Sequence, residues 1–172
     1  MLRIISGKAR GTRLAGFQEG NIKPTSGRTK EALFSIIFSK GINGAFLDLF
    51  SGSGQIGLEA ASRGFSPVVL VEKSKKAQII IRENIRRTKM SANLRLLGQS
   101  AEQAIKKLVA EENGFDIIYM DPPWDLAERI FYQLQEQLAQ IMMPDGLLIL
   151  EHEIKVEAPD AVTVLEHLQS CN

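Results

Sequence analysis

From residue 45 onward, short uninterrupted apolar runs alternate with segments whose apolar residues recur every three or four positions. The runs Ala45–Phe50, Pro67–Glu72, Leu94–Leu97, Phe115–Met120 and Leu147–Glu151 predict strands buried on both faces, because they lack the polar alternation of a half-exposed sheet. Between them the spacing predicts helices. One fills Gln55 to Arg63 and stops at Gly64, where a left-handed cap suits glycine. A second follows Ser74 with Ala77, Ile80, Ile81 and Ile85, and a third follows Ser100 with Ala101, Ala104, Ile105 and Leu108. A fourth carries Ile130, Leu134, Leu138 and Ile141 before Pro144-Asp145-Gly146 turns the chain into the next strand. Strands alternating with helices predict an α/β fold with a mostly parallel, doubly wound sheet. Such sheets bind ligands beyond the carboxyl ends of their strands. Function is therefore sought at Ser51–Gly54, Glu72, Gln99–Ala101, Asp121–Trp124 and Glu151-His152.

The first forty residues follow another pattern. Met1–Leu14, with Gly7 and Gly11, reads as a small hairpin, and Ser26–Ser39 reads as a helix with Leu33, Ile36, Ile37 and Lys40 on one stripe. The expectation is one domain over 1–172, in which residues 1–40 form an extension packed on a core of 41–172. A chain of 172 residues can bury a core of its own without disulfides or metals.

Charge sharpens this division. The net charge is only +1. Yet residues 1–40 hold eight basic side chains (Arg3, Lys8, Arg10, Arg13, Lys23, Arg28, Lys30, Lys40) against Glu19 and Glu31, while the remainder is net acidic. A clustered basic end suits a polyanion such as nucleic acid. The lone cysteine, Cys171, forms no intrachain disulfide, and His152 and His167 have no cysteine cluster beside them, so no zinc site is expected. No apolar run reaches the ~20 residues of a membrane span, and no signal peptide is visible. A cytoplasmic protein is expected, with no metal and no membrane partner. Nothing in the pattern demands a dimer, so a monomer is expected too.

Asp48-Leu49-Phe50-Ser51-Gly52-Ser53-Gly54-Gln55-Ile56-Gly57 carries G-x-G-x-x-G directly between a strand and a helix. Glycines there let the backbone approach a cofactor that any Cβ would displace. Glu72 ends the next strand 20 residues after Gly52, where a carboxylate can accept both ribose hydroxyls. The motif serves dinucleotides as well as S-adenosylmethionine. Asp48 favours the second: a carboxylate before the loop repels a pyrophosphate but suits the ammonium of a methionine moiety. The cofactor contacts expected are Asp48, Phe50, Ser51, Gly52, Gly54, Glu72 and Asp121.

Asp121-Pro122-Pro123-Trp124 follows the strand Phe115–Met120. An exocyclic base amine is a poor nucleophile, since its lone pair is delocalised into the ring. The Asp121 carboxylate and the Pro122 carbonyl can each accept one of its N–H bonds and aim the lone pair at a methyl donor. Pro122 and Pro123 stiffen the backbone, and the Trp124 ring can stack on the base. These four residues are the expected catalytic loop. As a bare string it is also an ordinary turn; the glycine loop and Glu72 give it chemical meaning. Glu151-His152 is read as a structural pair, because Asp121 suffices as the proton acceptor, and Cys171 is assigned no role.

Together these residues resemble a known family, the bacterial small-subunit (16S) ribosomal RNA guanine-N2 methyltransferases of the RsmD type. The likeness runs through Arg3-Ile4-Ile5-Ser6-Gly7-Lys8, Gly11 and Leu14, Lys23-Pro24-Thr25 with Arg28, and Lys30-Glu31-Ala32-Leu33-Phe34. It continues through Phe46–Gly54, Gly57-Leu58-Glu59-Ala60, Arg63-Gly64, Val71-Glu72, Asn84 and Phe115-Asp116-Ile117-Ile118. The resemblance implies a Rossmann-like methyltransferase fold and transfer from S-adenosylmethionine to the guanine 2-amino group, within a partly assembled small subunit. It also implies that the basic N-terminal segment meets RNA, with Arg10, Arg13, Lys23 and Arg28 as phosphate contacts. Three departures stand out. Gly98-Gln99-Ser100-Ala101 replaces an acidic residue that many relatives place near the adenine, leaving Ser100 and Ala101 as adenine contacts or Ser100 as a helix cap alone. Trp124 stands where Tyr or Phe is commoner, which keeps adenine-N6 methylation of DNA or transfer RNA as an alternative. A non-catalytic RNA-binding assembly factor of the same fold is another. The third departure is the ending Val162–Asn172, short for the antiparallel edge strand expected to complete the sheet.

Overall fold

The structure, a computed structural model, describes residues 2–17, 26–123 and 126–151, with the backbone alone for 162–165. The elements are α1 (Gly27–Ser39), β1 (Phe46–Asp48), α2 (Gln55–Arg63), β2 (Val68–Val71), α3 (Lys75–Thr88), a 3₁₀ turn (Ser91–Asn93), β3 (Leu94–Leu97), α4 (Ala101–Ala110), β4 (Phe115–Met120), α5 (Ala127–Ile141), β5 (Met142–Glu151) and β6 (Val162–Leu165). They build one sheet of order β3-β2-β1-β4-β5-β6. The first five strands are parallel to their neighbours, and β6 runs antiparallel to β5. The short C-terminal segment therefore does supply the expected antiparallel edge.

Strand residues alternate between two apolar layers. Leu47, Leu49, Ile118, Met120, Leu148 and Leu150 join residues of α4 and α5. Phe46, Ile117, Tyr119, Leu147 and Ile149 join residues of α1, α2 and α3. Burial on both faces explains the continuous apolar runs. Ser26, Ser74 and Ser100 each cap a helix, accepting from Thr29 N, Ala77 N and Gln103 N. α2 has no such side-chain cap at Gly54. Its third N–H, on Gly57, instead donates to Asp48 Oδ2 at 3.1 Å, so β1 caps the helix that follows it.

One expectation is corrected. Pro144-Asp145-Gly146 is not a turn before β5 but lies within it. Phe115 pairs with Met142 while Ile117 pairs with Leu147, so the extra residues are accommodated as a bulge beside the regular ladder. Leu33 and Ile37 line the buried stripe of α1 together with Phe34, which the spacing omitted, whereas Lys40 is exposed.

Residues 2–14 do form a hairpin, bridged between Arg3 and Arg13. Gly7, with φ +79°, sits so close to α2 that a Cβ would come within 1.8 Å of the Ser62 carbonyl oxygen. Beneath the hairpin lies Glu59, fully buried on α2. Its carboxylate accepts from Ile5 N (2.8 Å), Ser6 N (2.9 Å), Arg63 Nε (2.9 Å) and Lys30 Nζ (3.3 Å). Lys30 Nζ also donates to the Arg3 carbonyl at 2.6 Å. Burial lowers the Lys30 pKa, and the Glu59 charge opposes that shift. One carboxylate thus ties hairpin, α1 and α2 together. Removing one partner of a buried pair strands the other, at a cost of about 3–5 kcal/mol. Glu59→Ala is expected to lower unfolding free energy by an amount in that range in urea titration and to accelerate hydrogen exchange at Ile5 and Ser6. A drop of well under 1 kcal/mol would mean that the network does not hold the hairpin.

Candidate active site

β1 is flanked by β2 and β4, and the chain reverses its direction of winding between them. Asp48 pairs with Leu70 on one side and Tyr119 on the other. The glycine loop after β1 and the Asp-Pro-Pro loop after β4 therefore emerge side by side, in the crevice where doubly wound sheets bind ligands.

The glycine loop is fixed from several directions. Ser51 Oγ donates to the Asp48 carbonyl (2.9 Å) and accepts from Val71 N (3.0 Å), while Ser51 N donates to the Val71 carbonyl (3.0 Å). Ser51 is buried, and what its side chain does here is stitch β1 to β2. Phe50 packs against the α4–α5 layer. Gly52 and Gly54 have φ of +54° and +79°. A Cβ on Gly52 meets nothing within 4 Å, so the backbone there faces open space. At Gly57 the reason for glycine differs: a Cβ would lie 2.1 Å from Leu70 Cδ2, so its absence lets α2 pack closely on β2.

Glu72 turns toward this loop. Its Oε2 accepts from Gly52 N at 2.9 Å and its Oε1 from Ser74 N at 2.7 Å. Each oxygen keeps a further lone pair. Asp48 is more exacting. Its side chain is buried, Oδ2 takes the Gly57 N–H, and Oδ1 has no partner in hydrogen-bond geometry among the described residues. Burial pushes its carboxyl pKa up to about 7.

Asp121 is half-buried, Pro122 buried and Pro123 exposed. Burial, followed by the charges of Glu151 and Asp48, pushes the Asp121 carboxyl up to about 7. Tyr119 Oη donates to Glu151 Oε2. Burial and then the Glu151 and Asp121 charges raise the Tyr119 hydroxyl well above its ordinary value. Trp124, Lys23, His152 and Cys171 lie outside the described residues.

Comparison with known proteins places this arrangement. The family model described as conserved hypothetical protein 95 matches residues 2–171. YlbH of Bacillus subtilis, named a putative rRNA methyltransferase, is 32% identical over 162 residues, covering 94% of this chain and 88% of YlbH. The Haemophilus influenzae protein named ribosomal RNA small subunit methyltransferase D is 31% identical over 155 residues, covering 88% of this chain and 79% of that protein. The chain belongs to the RsmD-type methyltransferase family. A solved structure of a hypothetical protein from Thermus thermophilus superposes with a TM-score of 0.82 at 33% identity, covering 92% of this chain and 90% of that one. The fold is accordingly the Rossmann-like methyltransferase fold.

Within this family fold, the described residues suit S-adenosylmethionine better than a dinucleotide. Asp48 Oδ1 is a buried acceptor without a partner in hydrogen-bond geometry among the described residues, which an ammonium satisfies and a pyrophosphate does not. At the third-strand loop the Ser100 side chain takes the second of its two expected roles, that of a helix cap. Ser100 Oγ accepts from Gln103 N at 3.3 Å and the Gln103 side chain returns to Ser100 N, a capping box in which the hydroxyl serves α4. Gln99 Nε2 beside it is buried without a partner, as is Gln55 Oε1 at the start of α2. Sequence reasoning placed Gln99 in a segment where function is sought but gave it no role, and it missed Gln55, since an unmet hydrogen bond leaves no trace in spacing.

Arg10 and Arg13 are exposed on the hairpin, and Arg28 is exposed at the start of α1. Lys30 is not part of that basic surface, because it is buried against Glu59. No helix among the described residues is long and apolar enough to cross a membrane, and no group of metal-binding side chains occurs among them.

The folded site favours protonated Asp48 and Asp121, whose carboxyls sit near 7 instead of 3.8. Between about pH 4 and 7 the native state holds more protons than the unfolded chain, so these groups' contribution to stability falls as pH rises through that window. Asp48→Asn removes one such group. Its melting temperature should decline less than that of the wild type between pH 5 and about 8, measured by scanning calorimetry. Parallel declines would show that Asp48 titrates in both states alike.

Proposed function

We propose that this protein transfers a methyl group from S-adenosylmethionine to the 2-amino group of a guanine in small-subunit ribosomal RNA, acting on a partly assembled subunit. The carrying observation is a pair of carboxylates on adjacent strand ends, one buried and one half-buried. Asp48, with its unpartnered oxygen, faces the cofactor loop, and Asp121 begins the Asp-Pro-Pro loop one strand away. The names of the relatives support ribosomal RNA as substrate, the chemistry of Asp121 suits an exocyclic amine, and the family resemblance favours that of guanine.

S-adenosylmethionine supplies, when bound, a methyl group made electrophilic by its sulfonium. Asp48 receives the cationic methionine amine, Glu72 accepts from the ribose hydroxyls, and Gly52 and Gly54 leave room for close backbone approach. Gln99 Nε2, with Ser100 and Ala101, meets the adenine. Asp121 and the Pro122 carbonyl each accept one N–H of the guanine amine, which restrains it and turns its lone pair outward. Positioning of this kind supplies much of the rate in a displacement reaction. Pro123 keeps the loop rigid, and Trp124 stacks on the base. A carboxyl raised to about 7 is also a better proton acceptor than an ordinary aspartate, so Asp121 takes the proton that the methylated nitrogen releases. Arg10, Arg13, Lys23 and Arg28 contact phosphates.

Undermethylated small subunits, free ribosomal RNA, transfer RNA and DNA, each incubated with labelled cofactor, separate the possibilities by nucleoside analysis. Labelled N2-methylguanosine from the small-subunit substrate is expected; labelled N6-methyladenine would overturn the assignment. Asp121→Ala should lower kcat by about 10²–10³, the usual effect of removing one preorganised polar group from the reacting atoms, while calorimetric binding of S-adenosylmethionine persists. Persistent modification by that variant would remove Asp121 from the chemistry.

Phosphate binding has a separate signature. The Arg10→Ala, Arg13→Ala double variant is expected to raise KM with little change in kcat. It should also reduce the salt dependence of RNA binding by about 0.7–0.9 log unit per log unit of salt for each phosphate that is no longer neutralised. An unchanged slope would move the RNA away from the hairpin.

A further inference from the structure

Glu151 is the charged group that methyl transfer by Asp121 and Pro122 leaves unused. It ends β5, and the register pairs Met120 with Leu150. Asp121 and Glu151 therefore follow at one level on adjacent strands, which lie about 4.8 Å apart, with side chains on the face that Tyr119 shares. Tyr119 Oη holds one Glu151 oxygen. Among the described residues, no Lys, Arg or backbone N–H bonds the carboxylate, and the groups around it are Tyr119, Asp121 and, one strand further, Asp48. With one oxygen engaged by Tyr119, the Glu151 carboxylate keeps acceptor capacity for a donor that arrives from outside. The fully buried Asp48 oxygen without a partner, on the same face, independently marks this edge as one completed by a ligand.

The chemistry of the two purines then separates. Beside its 2-amino group, guanine carries N1–H, a donor. Adenine carries an N1 lone pair beside its 6-amino group, which a carboxylate repels. We propose that Glu151 determines base specificity by accepting the guanine N1–H while Asp121 and Pro122 hold the adjacent amine, an assignment that rests on the guanine-N2 reading above. Tyr119 is then a positioning residue that occupies Glu151 Oε2 and leaves Oε1 for the base. A carboxylate on N1–H also pushes electron density toward the exocyclic nitrogen, which aids its attack.

The test uses small subunits reconstituted with RNA whose mapped target nucleotide is either guanosine or 2-aminopurine riboside. Both carry the reacting 2-amino group, but 2-aminopurine presents an N1 lone pair in place of N1–H. Wild type should prefer guanosine in kcat/KM by on the order of 10- to 100-fold, the usual weight of a hydrogen bond to a charged group. Glu151→Gln keeps an acceptor for Tyr119 and can offer an N–H to 2-aminopurine. It should bring the two substrates within a few-fold of each other, with S-adenosylhomocysteine affinity and melting temperature unchanged. Equal decreases on both substrates, leaving the preference intact, would show a merely structural Glu151 and overturn the proposal. Wild-type labelling of adenine would instead bring down the guanine-N2 reading itself. Labelling of guanine N2 with a Glu151-independent preference would bring down this assignment alone.

Discussion

The parallel pairing of β1 with β4 governs everything at the carboxyl edge of this sheet. β1 contributes only Phe46, Leu47 and Asp48, all buried, yet it carries the glycine loop and hydrogen-bonds to strands from both halves of the winding. Its register sets Asp48 opposite Tyr119. A slip of one residue would turn Asp48 into the α4–α5 layer and Leu47 toward α2, exchanging a polar for an apolar side chain on each face. The Gly57 N–H would be left without its acceptor at the same time. The cofactor edge is thus specified by the same contacts that pack the core.

Two kinds of buried carboxylate distinguish structure from function in this molecule. Glu59, with no exposure, receives two backbone N–H groups, an ammonium and a guanidinium, and its role is complete within the chain. Asp48 receives one backbone N–H and leaves an oxygen unmet. The charges that act on Asp121 among the described residues are those of two other acids, Glu151 and Asp48. Burial raises the carboxyl pKa of Asp48 and of Asp121. Raised carboxyl pKa values therefore gather where the protein leaves its polar groups for a ligand to finish.

Much of the frame was legible because its signals are local. Leu94–Leu97 and Phe115–Met120 form strands with the bounds the apolar runs predict, and Gln55–Arg63 ends at the left-handed Gly64 as expected. Ser74 and Ser100 announce their helices through short-range caps. What escaped depends on distant partners. Pro144-Asp145-Gly146 carries every mark of a turn, but pairing with β4 draws it into a bulged strand. Lys30 counts as basic surface in a charge sum and proves to be internal, because Glu59 lies 29 residues away in sequence and beside it in space. Glu151 read as a structural pair with His152; its placement beside Asp121 follows from strand register, which no single segment encodes.

The N-terminal extension acquires its meaning from the same geometry. Phe34 and Ile37 of α1 share an apolar layer with Ile117, Tyr119, Leu147 and Ile149, the strands that end at Asp121 and Glu151. Lys30, on the same helix, joins Glu59 of α2 and the Arg3 carbonyl of the hairpin. Arg63 lies 4.6 Å over the Phe34 ring while its Nε bonds Glu59, so the apolar and ionic contacts of α1 converge on one point. Contacts through α1 thus link the hairpin that carries the exposed arginines to the strands that lead into the Asp-Pro-Pro loop. An RNA that engages both would meet a preorganised surface, and its binding energy would go into orienting the base instead of ordering the arm. The ion network under the hairpin thus contributes to positioning a substrate that it never touches.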